Sequence, residues 1–137
     1  MADQINFELV SPERLLLSEP VEMVVVPGAE GDFGVLPGHA PLVSTVRPGV
    51  IAVFADGKVV QRIFVAGGFA EVTPERCTVL AEQALPVADI DRMAAESEIQ
   101  VAREELGEAN DDAERGRLVS RIAAAEAKLV ALDSPVY

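Results

Sequence analysis

The sequence predicts an α+β protein, in which an all-β sandwich or barrel of about eight to ten short strands precedes an antiparallel two-helix hairpin. Short apolar runs, separated by turn signals about every 8–12 residues, fill residues 5–86. From residue 89 on, Ala, Glu and Arg dominate, and two amphipathic stripes with helical spacing follow. We therefore predict two domains, a β-sandwich over residues 1–87 and a helical hairpin over residues 88–137.

The strands are predicted from apolar runs that end at glycine, proline or acidic residues. Residues 5–10 alternate apolar and polar side chains, which is the period of a half-buried strand. Residues 21–26 end in a continuous apolar run, which indicates burial on both faces. The other predicted strands are residues 14–18, 41–46, 50–55, 58–65, 69–73 and 77–82.

Three segments interrupt these strands. Asp56-Gly57 lies between two apolar runs and predicts a type I′ hairpin, because both central residues of that turn need φ > 0. Ala66-Gly67-Gly68 predicts a further turn between strands. Residues 27–42 contain four glycines and three prolines, and so predict an irregular recognition loop rather than a strand or a helix.

The first helix is predicted to begin at Asp89 as N-cap and to end at Gly107 as C′ residue. Two adjoining stripes follow helical spacing along this helix. The first is Ile90, Ala94, Ser97 and Val101, and the second is Ile99, Ala102 and Leu106. Asp111, three residues before Glu114, predicts the cap of a second helix. That helix carries a single apolar stripe of Leu118, Ile122, Ala125, Leu129 and Leu132.

The predicted hairpin is rich in alanine and poor in large apolar side chains. Alanines allow two helices to approach closely, but most of the stability of such a hairpin has to come from docking onto another surface. A weakly held helical arm is a candidate switch.

Composition limits the classes of partner. The net charge of −12 argues against binding to nucleic acid or to anionic lipid, since both require a basic surface. The N-terminus has no apolar or Arg-rich leader, and no apolar run approaches the ~20 residues that cross a bilayer. We therefore expect a soluble intracellular protein that meets a membrane only through a partner.

Catalytic and metal sites are poorly supported. His39 is the only histidine and lies in a predicted turn, so it is interpreted as a turn or interface residue. The single Cys77 excludes a disulfide or a cysteine zinc site, and its strand context favours a small buried residue. Glu30 and Asp32 lack the apolar surroundings that would separate the pKa values of an acid–base pair. We expect a binding module that needs no cofactor and no metal.

The glycine-rich segment also invites comparison with a phosphate-binding loop. It lacks a following Lys-Ser/Thr pair and a helix N-terminus, and two acidic residues stand where phosphate would bind.

The pattern G-x-x-G-x-x-G-x-x-P-G-H-x-P-L, from Gly28 to Leu42, resembles the epsilon subunit of the F-type ATP synthase. Matching segments are found along the sandwich and include Phe-Glu-Leu-Val-Ser-Pro at 7–12, Arg-Pro-Gly at 47–49, Gly-Gly-Phe-Ala-Glu-Val at 67–72 and Val-Leu-Ala-Glu at 79–82. The order of the two predicted domains is also that of this family.

The resemblance implies a non-catalytic rotor subunit whose sandwich binds the gamma subunit and rests on the polar loops of the membrane c-ring. The implied c-ring contacts are Ala29, Glu30, Gly31, Asp32 and Phe33. The implied gamma contacts are His39, Pro41 and Leu42. Because a leader is absent, we expect the cytoplasmic side of a bacterial inner membrane.

In this family the helical hairpin can extend toward the catalytic alpha and beta subunits and inhibit ATP hydrolysis. The basic residues that could meet their acidic loops are Arg115, Arg117, Arg121 and Lys128. A solvated helix face explains these four residues equally well, and we expect any inhibition to be weak.

Some members bind ATP through an Ile/Leu-Asp-x-x-Arg-Ala motif in the folded hairpin. Ile90, Asp91 and Ala95 match it here, but Ala94 replaces the arginine and removes a charge-assisted phosphate contact. We therefore expect weak or no nucleotide binding.

Two other classes were weighed against this interpretation. A stand-alone β-sandwich adaptor or carbohydrate-binding module is disfavoured, because Trp is absent and Tyr137 is the only tyrosine available for sugar stacking. A small enzyme using Asp and Glu residues is disfavoured by the lack of a paired acidic site.

Overall fold

The computed structural model describes residues 4–134, so Tyr137 lies outside the described residues. Two compact units divide the chain between Pro86 and Val87. Within the described residues, the first unit contains eight strands and the second two α-helices, which confirms the predicted α+β order. The strands are β1 (Ile5–Val10), β2 (Leu15–Val21), β3 (Met23–Gly28), β4 (Gly31–Val35), β5 (Leu42–Thr45), β6 (Gly49–Ala55), β7 (Lys58–Val72) and β8 (Arg76–Pro86). The helices are α1 (Arg92–Glu108) and α2 (Asp112–Asp133).

Strand β7 organises the sheet. The strand order is β2-β1-β8-β7-β6-β3-β4, with β5 paired to β7 off this path. The pairing of β1 with β8 is parallel and the other pairings are antiparallel. One edge of β7 pairs first with β6 and then with β5, while β8 lies along the other edge.

The core of the first unit is mainly aliphatic, with Phe7 as an aromatic member. Ile5, Phe7 and Leu9 alternate along β1 with at most 2% exposure, and the same alternation in the other strands completes the core. Cys77 is fully buried in β8, as predicted, and burial raises the pKa of its thiol to about 12.

The Asp56-Gly57 hairpin is confirmed. Both residues have positive φ, 54° and 74°, and they connect β6 to β7. The Glu22 carboxylate, in the bend between β2 and β3, accepts hydrogen bonds from the amides of Asp56 (2.8 Å) and Gly57 (3.2 Å), which stabilises the turn from a position distant in sequence.

The prediction of an irregular loop over residues 27–42 is wrong in its first half. Strands β3 and β4 form a tight hairpin with Ala29 and Glu30 at its turn. The register pairs Gly28 with Gly31, and a Cβ on Gly28 would lie 2.8 Å from the Phe33 ring, so glycine is needed for close packing rather than for irregularity. Apart from the two turn residues, only residues 36–41 of this segment lie outside the strands.

The predicted turn at Gly67-Gly68 is also wrong. Strand β7 continues through both residues, whose φ angles are 69° and 120°. The pair lies where β7 changes its neighbour from β6 to β5, and Gly68 allows the backbone of β8 to approach closely. A non-local pairing has thus overridden the local turn signal.

The predicted boundaries of α1 need correction. Asp89 lies in a 3₁₀ turn (Val87–Asp89), and the N-cap is Asp91, whose side chain accepts from the Ala94 amide at 3.1 Å. Gly107 remains inside the helix, which ends at Glu108. Shifts of one or two residues are usual at helix ends.

The cap of α2 is confirmed, because the Asp111 side chain accepts from the Glu114 amide at 2.7 Å. The stripe predicted along α2 is confirmed too: Leu118 and Ala125 are buried, and Ile122, Leu129 and Leu132 are half-buried.

The α1 stripe of Ala94, Ser97 and Val101 is exposed, although Ile90, the first residue of that predicted stripe, is buried. The adjoining stripe supplies the buried positions instead: Ile99 and Ala102 are buried, and Leu106 packs with Ala102 against Leu118 of α2. Two stripes one position apart cannot be ranked by periodicity alone.

Candidate interaction surfaces

The first surface is the tip of the β3–β4 hairpin. Ala29, Glu30, Gly31 and Asp32 are exposed, and Phe33 is half-buried. The Ala29 amide donates to the Thr45 carbonyl at 2.9 Å, so the turn is tied to the end of β5. The structure therefore brings together all five residues that the sequence proposed for one contact.

Asp32 is already engaged within the chain. The Arg47 Nη2 donates to its Oδ1 at 2.5 Å, and Nη1 of the same guanidinium donates to the Gly28 carbonyl at 2.5 Å. The resemblance implied Asp32 as a c-ring contact and gave no indication of Arg47. The sequence carries no local signal for this pair, because residues 32 and 47 meet only once the sheet has formed.

The predicted gamma contacts form the second group. His39 and Pro41 lie in the segment 36–41, and Leu42 is the first residue of β5. His39 is half-buried, and its Nδ1 donates to the Ala40 carbonyl at 2.6 Å. The Gly38 amide donates to the Pro74 carbonyl at 2.8 Å and anchors this segment to the β7–β8 turn. Pro41 and Leu42 are exposed.

A row of apolar side chains crosses the outer face of the sheet. The register places Phe69 opposite Leu80, Leu80 opposite Val10, and Val10 opposite Leu15. Residues directly opposite one another project from the same face. We call Val10, Leu15, Phe69 and Leu80 the apolar row.

The apolar row is open to solvent. Phe69 and Leu15 are each 56% exposed and Leu80 is 43% exposed, while Val10 is half-buried. On β5, Val43 projects from the same face, two residues from the partner of Phe69, and is 70% exposed. This surface is not predictable from the sequence, because only the register brings the four strands of the apolar row together.

The basic residues of the helical hairpin are unequally available. Arg115 pairs with Asp112 at 3.2 Å, and Arg121 lies 3.4 Å from Glu98 and 3.6 Å from Glu105. Arg117 is exposed and makes no ion pair with any of residues 4–134. Lys128 is half-buried.

Arginines join α1 to α2 along their length. Arg92 pairs with Asp133 through two hydrogen bonds of 2.5 and 3.1 Å, and Arg103 lies 3.1 Å from Glu126. Hydrogen bonds from Arg92 hold the pKa of the Asp133 carboxyl below its ordinary value, and the same contact raises the pKa of Arg92. Together with the pairs of Arg121, these contacts link the two helices at several points.

The residues of the degenerate nucleotide motif have structural roles in the folded hairpin. Ile90 and Ala95 are buried, and the Asp91 carboxylate caps α1. Ala94 is exposed and offers no cation. Arg92, the nearest cation in sequence, is bound to Asp133.

Two features are absent from residues 4–134. No group of three or more His, Cys, Asp and Glu side chains is arranged to hold a metal ion. None of the helices there is both long enough and apolar enough to cross a membrane.

Comparison with known proteins identifies the family. Residues 4–87 match the family described as ATP synthase, Delta/Epsilon chain, beta-sandwich domain. The ATP synthase epsilon chain of Rhodospirillum rubrum is 59% identical over 131 residues, which cover 96% of this chain and 98% of that one.

Solved structures agree with this match. A chain of the Euglena gracilis mitochondrial ATP synthase, solved with OSCP, F1 and the c-ring, superimposes with a TM-score of 0.80 at 28% identity, covering 95% of this chain and 82% of that one. A chain from the central stalk and c-ring of the Tetrahymena thermophila mitochondrial ATP synthase has the same fold, with a TM-score of 0.65 at 12% identity. That match covers 93% of this chain and 95% of that one. The chain belongs to the family of ATP synthase epsilon chains.

Proposed function

We propose that this chain is a non-catalytic rotor subunit that connects the c-ring of the F-type ATP synthase to the gamma subunit. Its first unit is the connecting piece, with one surface for each partner. The apolar row carries the proposal, because it is an extended apolar surface on an otherwise strongly acidic protein.

The apolar row is the proposed gamma-binding surface. His39, Pro41 and Leu42 remain proposed gamma contacts, although Leu42 pairs with the buried Val72 and so lies on the other face of the sheet. Burial of an exposed aromatic side chain in a partner commonly contributes a large share of binding energy, and Phe69 is the one aromatic residue of the row. The neighbouring Val43 extends the same surface onto β5. A predominantly apolar contact suits a joint that transmits torque and does not need to dissociate.

The hairpin tip, residues 29–33, is the proposed c-ring contact. Residues 29–32 of this tight hairpin are exposed, and Glu30 at the turn is open to solvent. Because the tip is acidic, we expect basic groups on the polar loops that it meets.

The helical hairpin is proposed to regulate weakly. Arg115 and Arg121 are already engaged inside the hairpin, so contact with the catalytic alpha and beta subunits would require their ion pairs to break. Arg117 has no ion pair within residues 4–134 that would have to break first. We expect weak inhibition of ATP hydrolysis and, since the motif lacks its arginine, weak or no binding of ATP.

The proposed location follows from the proposed partners. The subunit would lie on the cytoplasmic side of a bacterial inner membrane, held there by the complex rather than by a segment of its own.

The test is association of the full chain with a purified complex of alpha, beta and gamma subunits that lacks it. Phe69→Ser with Leu80→Ser is expected to weaken binding about 30-fold or more, since residues central to interfaces contribute about 2 kcal/mol or more. Val60→Ser is the control, because Val60 is 54% exposed and does not belong to the apolar row. Unchanged binding of the double variant would disprove the gamma-binding surface.

A further inference from the structure

Residues 45–47 form a joint with the β3–β4 hairpin. The Arg47 amide donates to the Pro27 carbonyl at 2.9 Å, and the Thr45 carbonyl accepts from the Ala29 amide at 2.9 Å. Val46 forms an isolated antiparallel bridge with Gly28. The backbone of this short segment is therefore attached to the last residues of β3.

The Arg47 side chain attaches to both strands of the hairpin. One terminal nitrogen binds the Gly28 carbonyl at the end of β3, and the other binds Asp32 at the start of β4. Gly28 belongs to the pair that closes the turn, and Asp32 follows the other member of that pair, Gly31. A guanidinium can hold two acceptors at fixed positions, whereas a lysine ammonium is a single point of charge.

We propose that Arg47 is the positioning residue of the hairpin tip, and that Asp32 serves as its anchor rather than as a contact for a partner. The guanidinium fixes the direction in which Ala29 and Glu30 project. This inference rests on the proposed function only in naming the tip as a contact surface.

The two tip carboxylates then have different roles. Asp32 is 29% exposed at its side chain and is bound to Arg47. Glu30 is exposed, and its carboxylate makes no ion pair with any residue in the described range 4–134. Of the two acids, Glu30 is the one directed toward a cation on the partner.

Hydrogen exchange in the free full chain tests the positioning role. Arg47→Ala is expected to accelerate exchange of the Ala29 amide by about tenfold or more, because the tip loses its side-chain clamp. Arg47→Lys should restore little of the protection, since it keeps the charge but not the two-point contact. Lys58→Ala removes a cation beside the Asp56-Gly57 turn and is the control. It should leave the amide exchange of residues 29–33 unchanged. Wild-type exchange in Arg47→Ala, or full protection in Arg47→Lys, would overturn the inference.

Proton pumping by the reconstituted ATP synthase tests the role of Asp32. If Asp32 acts through Arg47, the losses caused by Asp32→Asn and Arg47→Ala are not additive, and the double variant pumps as well as Arg47→Ala alone. Additive losses would show that Asp32 contacts the partner itself and would overturn the inference.

Glu30→Gln separates the two proposals. It should reduce pumping while hydrogen exchange at the tip stays normal. If Glu30→Gln pumps normally, the c-ring contact proposed for the tip fails, and the exchange experiment still decides the role of Arg47.

Discussion

Gly68 shows how much the sheet depends on single residues. Its φ of 120° is unfavourable for any side chain, and an added Cβ would lie 1.8 Å from the Leu80 carbonyl oxygen. The clash is with backbone in the middle of the β7–β8 pairing, where neither strand can move away without losing hydrogen bonds. The glycine therefore sets the spacing beneath Phe69 and Leu80.

Gly68→Ala should lower the free energy of unfolding of the first unit by about 3 kcal/mol or more. Gly116→Ala is the matched control, because a Cβ there meets nothing within 4 Å and the residue lies inside α2. That control should be neutral or should stabilise the hairpin by up to about 1 kcal/mol. Denaturant unfolding followed by amide exchange resolves both units, and equal effects of the two substitutions would contradict the packing argument.

Residue-scale predictions succeeded where neighbouring residues determine the structure and failed where contacts distant in sequence determine it. Asp56-Gly57 was predicted, because the turn is determined by its own two residues. The continuation of β7 through Gly67-Gly68 was not predicted, and neither was the contact of Arg47 with Asp32. Each depends on strands that are distant in sequence. The apolar row was missed for the same reason, although Phe69 and Leu80 are plainly apolar.

At the scale of elements, the helical hairpin combines a thin apolar interface with ion pairs. Only a few side chains between α1 and α2 are well buried, among them Ala102 and Leu118. Exposed ion pairs each contribute little, about 0–1 kcal/mol. Sequence predicted both helices from their periodicity, but it could not choose between two adjoining stripes of α1.

The Arg92–Asp133 pair predicts a pH dependence. Since the pKa of Asp133 is lowered in the folded hairpin, its contribution is present above the unfolded carboxyl pKa and is lost as pH falls through the folded value. Asp133→Asn should therefore lower the melting temperature of the hairpin at pH 7, and the difference from wild type should disappear at strongly acidic pH.

Far-UV circular dichroism during thermal unfolding measures this difference. Glu104→Gln, on an exposed part of α1, is the control and should not change the pH profile. A difference between Asp133→Asn and wild type that persists unchanged in strong acid would contradict the assignment.

Removal of the hairpin tests weak regulation. A chain that ends at residue 87 should change ATP hydrolysis by the soluble catalytic complex less than about twofold, because most hairpin arginines already have acidic partners within it. The comparison is the rate with the full chain at the same occupancy. A clearly faster enzyme with the truncated chain would show that the hairpin inhibits in spite of these pairs.

At the scale of the whole molecule, the sequence alone was sufficient for the fold class and the family. Strand and helix patterns gave the order of the two units, and the glycine-rich pattern together with Gly-Gly-Phe gave the resemblance that comparison then confirmed. The geometry of the candidate interaction surfaces was not predictable, since the apolar row spans four strands and the tip is bound by an arginine from outside its hairpin. A non-catalytic connecting subunit is described by such surfaces rather than by reactive side chains.

The most direct test of the rotor proposal is ATP-driven proton pumping by vesicles that contain ATP synthase assembled without this chain. We expect wild-type chain and Val60→Ser to restore pumping, and Phe69→Ser with Leu80→Ser to fail while ATP hydrolysis continues. If the double variant restores pumping as fully as wild type, the apolar row does not connect the ring to the gamma subunit, and the central proposal is wrong.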